Sequence, residues 1–144
     1  MSGHTTAIAR DERGSAAAEF ALLIPVTVLL LMAVFHLCAV VYASANLHYS
    51  VEQAARCAAT SQLNTNAACG TTQATATAYA QGLYRGPGIG GTYGSTDDTA
   101  DNCRQINVTG ANYVIALGFV NVTIPLSAQA CFPVPPGGAA WPTT

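Results

Sequence analysis

The first third of the chain carries one long hydrophobic run, whereas the remainder alternates between short polar and apolar groups. No residue from Phe20 to Val51 is charged, a run of 32 residues. A helix needs about 20 apolar residues to cross a bilayer, so this run predicts one membrane-spanning helix that projects beyond the lipid. Neither glycine nor proline occurs between Val26 and Cys69. The helix is therefore expected to continue from Ser15 to Ser61, a length of about 70 Å.

The outer part of this predicted helix has a face of small and apolar residues. Its members recur three or four positions apart, which is the spacing of one helix face. They are Leu47, Val51, Ala54, Ala55, Ala58 and Ala59. We expect this face to pack against the rest of the chain. Pro25 lies within the predicted helix. Because proline has no backbone N–H to donate, the helix is predicted to be weakened there.

Shorter elements are predicted beyond the long helix. Thr71 to Tyr84 carries apolar residues at helical spacing and predicts a second helix. Gly86 to Ser95, with the sequence GPGIGGTYGS, predicts a loop. The carboxylates of Asp97, Asp98 and Asp101 follow it and predict a solvated turn.

β-branched and aromatic residues near the C-terminus predict a short antiparallel sheet. A turn is expected at residues 110–112, and the tail from Phe132 to Thr144 is expected to be extended. The predicted fold class is α+β, in which a long N-terminal transmembrane helix extends into a small disulfide-stapled domain with a second helix and this sheet. The predicted strands are Gln105 to Thr109, Tyr113 to Leu117 and Phe119 to Ile124.

Of the five cysteines, Cys38 lies in the apolar run and four lie beyond it. An even number of cysteines in a polar region is typical of two disulfides in an oxidising compartment. Cys57 and Cys69 flank a polar loop, and Cys103 and Cys131 flank the predicted strands, so the pairs Cys57–Cys69 and Cys103–Cys131 are expected. The pairings 57–103 with 69–131, and 57–131 with 69–103, remain open. The gaps of 11, 33 and 27 residues lack the close ligand pairs of a zinc site, so no metal is expected.

The composition argues against several classes of function. Only 8% of the residues are charged, lysine is absent and the net charge is −2, so there is no electrostatic footprint for nucleic acid. Glycines 86, 88 and 91 match the pattern G-x-G-x-x-G, but the strand, helix and acidic residue that a dinucleotide site requires do not surround them. No nucleophile, base or pair of carboxylates converges on a motif, and we expect neither enzymatic activity nor a cofactor.

Arginines flank the apolar run unequally. Arg10 and Arg13 precede it, and the next arginine is Arg56. Positive residues favour the cytoplasmic side, so this asymmetry predicts a single-pass protein with a cytoplasmic N-terminus and an extracytoplasmic C-terminal domain. The expected disulfides, which require an oxidising compartment, agree with that orientation.

A single carboxylate, Glu19, stands at the entrance to the apolar run, five residues after Gly14. A charge costs about 2.5–3.5 kcal/mol at the bilayer centre and less near the interface, so its position calls for a reason. Cleavage between Gly14 and Ser15 would create an α-amine, which is mostly cationic at neutral pH. Glu19 would then neutralise that amine, in its own chain or in a neighbour's, when helices assemble in a low-dielectric bundle.

The stretch GSAAAEF, from Gly14 to Phe20, followed by a long apolar helix, resembles a type IV prepilin processing site. The longer stretch RGSAAAEFALLIPVTVLLLMAVF is similar to TadE-like proteins of the tight adherence (Flp) pilus system, and TIPLSAQACFP, residues 123–133, is similar to the end of their domains. The resemblance implies that a prepilin peptidase cuts after Gly14, that Ser15 becomes the first residue, and that Glu19 guides subunit docking. It implies four partners: that peptidase, other pilin subunits, the inner-membrane assembly platform and membrane lipid.

The function that the resemblance implies is that of a minor pilin-like structural subunit in the inner membrane. Residues 1–14 would be the leader, 15–45 the transmembrane helix and 46–144 the extracytoplasmic domain. One alternative is a type II secretion-like pseudopilin, which shares the processing site. Another is a secreted binding domain released by signal peptidase after Ala45, although the apolar run is longer than the roughly 7–15 residues of a signal peptide.

Overall fold

The computed structural model describes residues 5–61, 68–98, 101–116, 120–136 and 141. Two helices are followed by three strands that form one antiparallel sheet, ordered β1-β2-β3. This architecture confirms the predicted α+β class. The elements are α1 (Thr5–Thr60), α2 (Gln73–Leu83), β1 (Thr92–Asp98), β2 (Cys103–Ala116) and β3 (Asn121–Pro133).

The chain divides into two compact units, Met1–Cys38 and Ala39–Thr144. Among the described residues, the first unit consists of α1 alone. The stretch Ala17–Thr60 of this helix is long and apolar enough to cross a membrane, with a mean hydropathy of 2.6 in its most apolar window. That length and composition indicate membrane anchoring.

The long helix begins earlier than the sequence indicates. It starts at Thr5 rather than at Ser15, and it continues without interruption through Gly14 and Pro25. Ala, Arg and Glu are good helix formers, and one glycine costs only about 1 kcal/mol relative to alanine, so Gly14 does not end the helix. Pro25 likewise lies inside the helix, and the hydroxyl of Thr27, two residues later, donates a hydrogen bond to the Leu23 carbonyl (2.9 Å).

The core of the second unit lies between the end of α1 and the sheet, and it confirms the predicted small-residue face. Leu47, Val51 and the alanines of that face are fully or almost fully buried, together with Ile106 and Val108 of β2. Ala76 and Ala80 of α2 join the same cluster. Because alanine side chains are short, the strands and α2 can approach the helix closely.

The second helix is confirmed, with slightly narrower bounds than predicted. Thr72 is its N-cap and forms a capping box with Thr75, in which each side chain binds the other residue's backbone N–H. This arrangement satisfies two donors that the first turn of a helix leaves without partners.

The prediction of a loop at 86–95 is wrong from Thr92 onward, and the predicted acidic turn is wrong for Asp97 and Asp98, whereas Asp101 does lie in an exposed turn. Residues 92–98 form strand β1, in which Tyr93 pairs with Val108 and Asp97 pairs with Arg104. Glycine and aspartate have low strand propensity, but pairing with a neighbouring strand overrides such local preferences.

The predicted turn at residues 110–112 is also wrong, because the chain does not reverse there. Gly110 adopts a positive φ of 70° at a β-bulge, and β2 continues through it to Ala116. A glycine in this conformation fits the bulge without steric cost. β3 extends to Pro133, beyond the predicted Ile124, while residues 117–119 of the predicted strands lie outside the described residues.

Candidate functional site

The candidate site is the beginning of the apolar part of α1, where Gly14, Ser15, Glu19 and Phe20 lie on one continuous helix. Glu19 is exposed, and Phe20 is 66% exposed. Ser15 and Glu19 are four residues apart, so the helix places both positions on the same face. The Cα–Cβ bonds of a helix tilt toward its N-terminus, so that of Glu19 leans toward the turn that contains Ser15.

The helix surface that follows Glu19 is apolar and exposed around its whole circumference. A helix that is hydrophobic on all sides is typical of a membrane span or of a helix buried in a bundle. Most of this surface offers only contact area for lipid or for other helices, and His36 and Cys38 are its side chains with acid–base or nucleophilic character. The exposed side chains include Leu22, Leu23, Val26, Leu29, Leu30, Leu31, Phe35 and Leu37.

Two disulfides stabilise the second unit. Cys57, in the last turns of α1, is joined to Cys69, and Cys103 of β2 is joined to Cys131 of β3. The Cα atoms of the two pairs are 6.0 and 5.6 Å apart, within the usual range for disulfides. Among the described residues the remaining cysteine is Cys38, which is exposed in the apolar helix.

The ligand atoms of Asp98, Cys103 and Cys131 lie within 4.8 Å of one another. Cysteine binds metals as the thiolate, and both of these cysteines are consumed by their disulfide. This cluster therefore does not form a metal site in the oxidised protein.

A hollow of about 290 Å³ lies between the end of α1 and the end of β3. The Arg56 guanidinium lies over the Phe132 ring, 5.7 Å from its centroid, and Glu52 and Gln129 complete the polar part of the wall. Cys131 also lines the hollow, but it is oxidised. The lining thus lacks the pairing of a nucleophile with a base on which covalent catalysis depends.

A buried arginine in the second unit, which is not among the predicted site residues, joins three parts of the chain. Arg104 of β2 is fully buried, and its Nη1 donates a 2.7 Å hydrogen bond to the Ala58 carbonyl in the last turns of α1. Its Nε lies 3.6 Å from the Asp97 carboxylate of β1, and its guanidinium lies 4.1 Å from the centroid of the Trp141 ring. The backbone N–H of Trp141 donates to the same Asp97 carboxylate at 2.8 Å.

The contacts of Arg104 stabilise the C-terminal end of α1. The last turn of α1 contains no basic residue, and helix C-termini carry unpaired carbonyls and a partial negative charge. Arg104 provides both a donor and a positive charge there. Burial lowers the pKa of Arg104, while the nearby Asp97 opposes that shift and favours the charged form.

The alternation of residues along β2 indicates that Arg104 points inward. Arg104, Ile106 and Val108 alternate along β2 and point to the same side of the sheet, which is the core side. An arginine at an inward position implies a buried carboxylate partner, and Asp97 lies opposite it in the strand register.

Two tyrosines form hydrogen bonds at either end of the segment between α2 and β1. Burial raises the pKa of Tyr84, whose hydroxyl donates to the Pro87 carbonyl at 2.8 Å. Burial also raises the pKa of Tyr93, although a hydrogen bond with the Ser50 side chain of α1 partly opposes that shift. Both phenols therefore remain neutral, and they act as packing and hydrogen-bonding groups.

Replacing Cys57 and Cys69 together by serine is expected to lower the free energy of unfolding of the second unit by about 3 kcal/mol, the chain-entropy value for a loop of this length. Denaturant unfolding of the full chain in detergent measures the change. Cys38→Ser is the matched control, since Cys38 forms no disulfide, and it should leave the unfolding midpoint unchanged. Equal midpoints for the double variant and the control would contradict the assigned role of the bridge.

One family of known proteins is similar to part of this chain. The family model of TadE-like proteins matches residues 14–56, which confirms the resemblance seen in the sequence. The match begins at Gly14, contains Glu19 and the apolar run, and ends just before Cys57. No curated protein and no solved structure matches the chain.

Proposed function

We propose that this chain, TadE-like over residues 14–56, is a minor pilin-like structural subunit in the assembly of a tight adherence pilus. The observation that carries the proposal is the match itself, because it begins at the glycine of the proposed processing site. The exposed apolar surface of α1 supports it, since such a surface requires lipid or other helices. No enzymatic step is part of the proposed role.

The proposed mechanism begins with cleavage after Gly14 by a prepilin peptidase on the cytoplasmic side. Hydrolysis of the Gly14–Ser15 peptide bond releases the leader and leaves an α-ammonium group on Ser15. Glu19 lies one helical turn further along the same face, so its carboxylate is placed to pair with such a group. Pairing with the ammonium of a neighbouring subunit would draw the apolar helix from the membrane into the pilus bundle.

The second unit would face the extracytoplasmic side in this arrangement. Its two disulfides support that orientation, because disulfides persist in oxidising compartments. The proposed partners are the prepilin peptidase, the other pilin subunits and the inner-membrane assembly platform, with lipid around the helix before assembly.

The mature protein is expected to begin at Ser15. Intact-mass spectrometry and N-terminal sequencing of protein purified from a host with a prepilin peptidase measure this directly. Gly14→Val should block cleavage, because a branched side chain replaces the glycine at the scissile bond. Gly3→Val, a matched change inside the leader, should leave a product that starts at Ser15. A native product that begins at Asn46, or one that retains Met1, would contradict the proposal.

A further inference from the structure

The sheet has three strands along only part of its length. β1 pairs with residues 103–109 of β2, and beyond the bulge at Gly110 the pairing continues between β2 and β3 alone. We call this two-stranded part, residues 111–116 and 121–126, the β arm; Ala111 pairs with Leu126 at its base and Ala116 with Asn121 at its end. A two-stranded ribbon is only marginally stable in water, so a further contact would stabilise the arm.

One face of the β arm continues the apolar core of the second unit and becomes progressively uncovered. Ala111, at the base, is 1% exposed, while Val122, near the end, is 42% exposed. Val120 just beyond the arm is 48% exposed, and Val114 on the opposite face is 54% exposed. Three side chains on the core side of the arm are half-buried, those of Tyr113, Ile115 and Ile124. Apolar groups thus lie open to solvent on both faces at the end of the arm.

The β arm also lacks charge. No residue from Gln105 to Thr144 is charged, so neither strand carries the lysines or inward-facing charges that normally protect sheet edges from other chains. Pro125 interrupts β3, the outer strand, and has no N–H to donate to an added strand. An uncharged surface with an interrupted edge fits a lipid interface better than it fits strand addition by another protein.

Contacts within the second unit define the direction of the β arm relative to α1. Arg104 of β2 contacts the Ala58 carbonyl, and Tyr93, which is paired with Val108, hydrogen-bonds with Ser50. β2 therefore advances toward lower-numbered residues of α1. The β arm follows in the same direction, toward Ala39, the residue at which this unit begins.

The geometry points to a second membrane contact: the β arm docks onto the interface between lipid headgroups and acyl chains. Val120 and Val122 enter the apolar side of that interface, and Tyr113 lies at headgroup level, where tyrosine is enriched in membrane proteins. The free edges of the arm need hydrogen bonds from water or headgroups, which confines it to the interface rather than the hydrocarbon. The inference rests on membrane anchoring by α1, but not on pilus assembly.

Tryptophan placed on the β arm tests this contact in the full chain, reconstituted into phosphatidylethanolamine–phosphatidylglycerol vesicles. Val122→Trp and Val120→Trp each add one exposed tryptophan, and Thr96→Trp, an exposed position on β1, is the matched control. The parent protein gives the background emission of Trp141. Lipids brominated near the top of the acyl chain quench tryptophans at the interface. We expect about a twofold loss of the added emission for the two arm variants and no loss for the control.

Vesicle flotation precedes the measurement, so that failure of anchoring is distinguished from failure of the arm to dock. Thiol counting, with Cys38 as the free thiol, verifies that each variant has formed both disulfides. Absence of quenching at both arm positions in floated, folded protein would overturn the inference. A response that rises with the protein-to-lipid ratio would also overturn it, because it would assign the surface to a second copy of the chain.

Discussion

Glu19→Ala is expected to insert into the membrane as well as the native chain and to be strongly depleted from pili. The native carboxylate lies exposed at the entrance to the apolar helix, where it opposes insertion slightly and contributes nothing to helix packing. In the proposed assembly it pairs with an α-ammonium in a low-dielectric bundle. Removing one partner of a buried charge pair costs about 2–5 kcal/mol, so incorporation should fall by about thirtyfold or more.

Quantitative immunoblotting of membranes and of sheared pili measures the two effects separately. Glu52→Ala is the matched control, because Glu52 is also exposed on α1 but lies beyond the apolar run. Glu19→Asp keeps the charge on a shorter side chain and should retain part of the incorporation. Normal piliation by the alanine variant would show that the carboxylate is not required for docking. Equal loss in the Glu52 variant would show that the effect is not specific to Glu19.

Arg104→Met is expected to lower the free energy of unfolding of the second unit by about 3 kcal/mol, near the lower end of the cost of breaking a buried ion pair. Methionine retains much of the apolar stem but removes the donor to the Ala58 carbonyl and the charge beside Asp97. Asp97 is 24% exposed, so water compensates for part of the loss. Trp141 also loses the cation above its ring.

Denaturant unfolding followed by tryptophan fluorescence suits this test, because Trp141 is the one tryptophan of the chain and contacts the guanidinium directly. Arg85→Met, at an exposed position, is the matched control and should change the unfolding free energy by less than about 0.5 kcal/mol. Similar midpoints for the two variants would contradict a structural role for the buried arginine.

The sequence predicted the parts of the fold that depend on local periodicity. The apolar run and the small-residue face specify α1, and the helical spacing from Thr71 to Tyr84 specifies α2. Strand β1 could not be predicted, because TYGSTDD has little strand propensity and owes its conformation to β2. Gly110 is compatible with either a turn or a bulge, and only the continued pairing with β3 decides between them.

The candidate site likewise has one part that the sequence predicted and another that it could not predict. GSAAAEF is a local motif that the sequence reveals, and the family match confirms the resemblance it carries. The contacts of Arg104 join residues from three separate parts of the chain, so no local pattern contains them. The alternation of Arg104 with Ile106 and Val108 indicates that the arginine points inward, but not which carbonyl or aromatic ring it meets.

The order of the disulfides along the chain has a consequence for biogenesis. Each bridge joins consecutive cysteines of the second unit, Cys57 with Cys69 and then Cys103 with Cys131. In the proposed orientation the anchor enters the membrane first, and the first pair of cysteines then emerges before the second. Oxidation in the order of emergence therefore gives the native bonds directly, without the reshuffling that interleaved or nested bridges require.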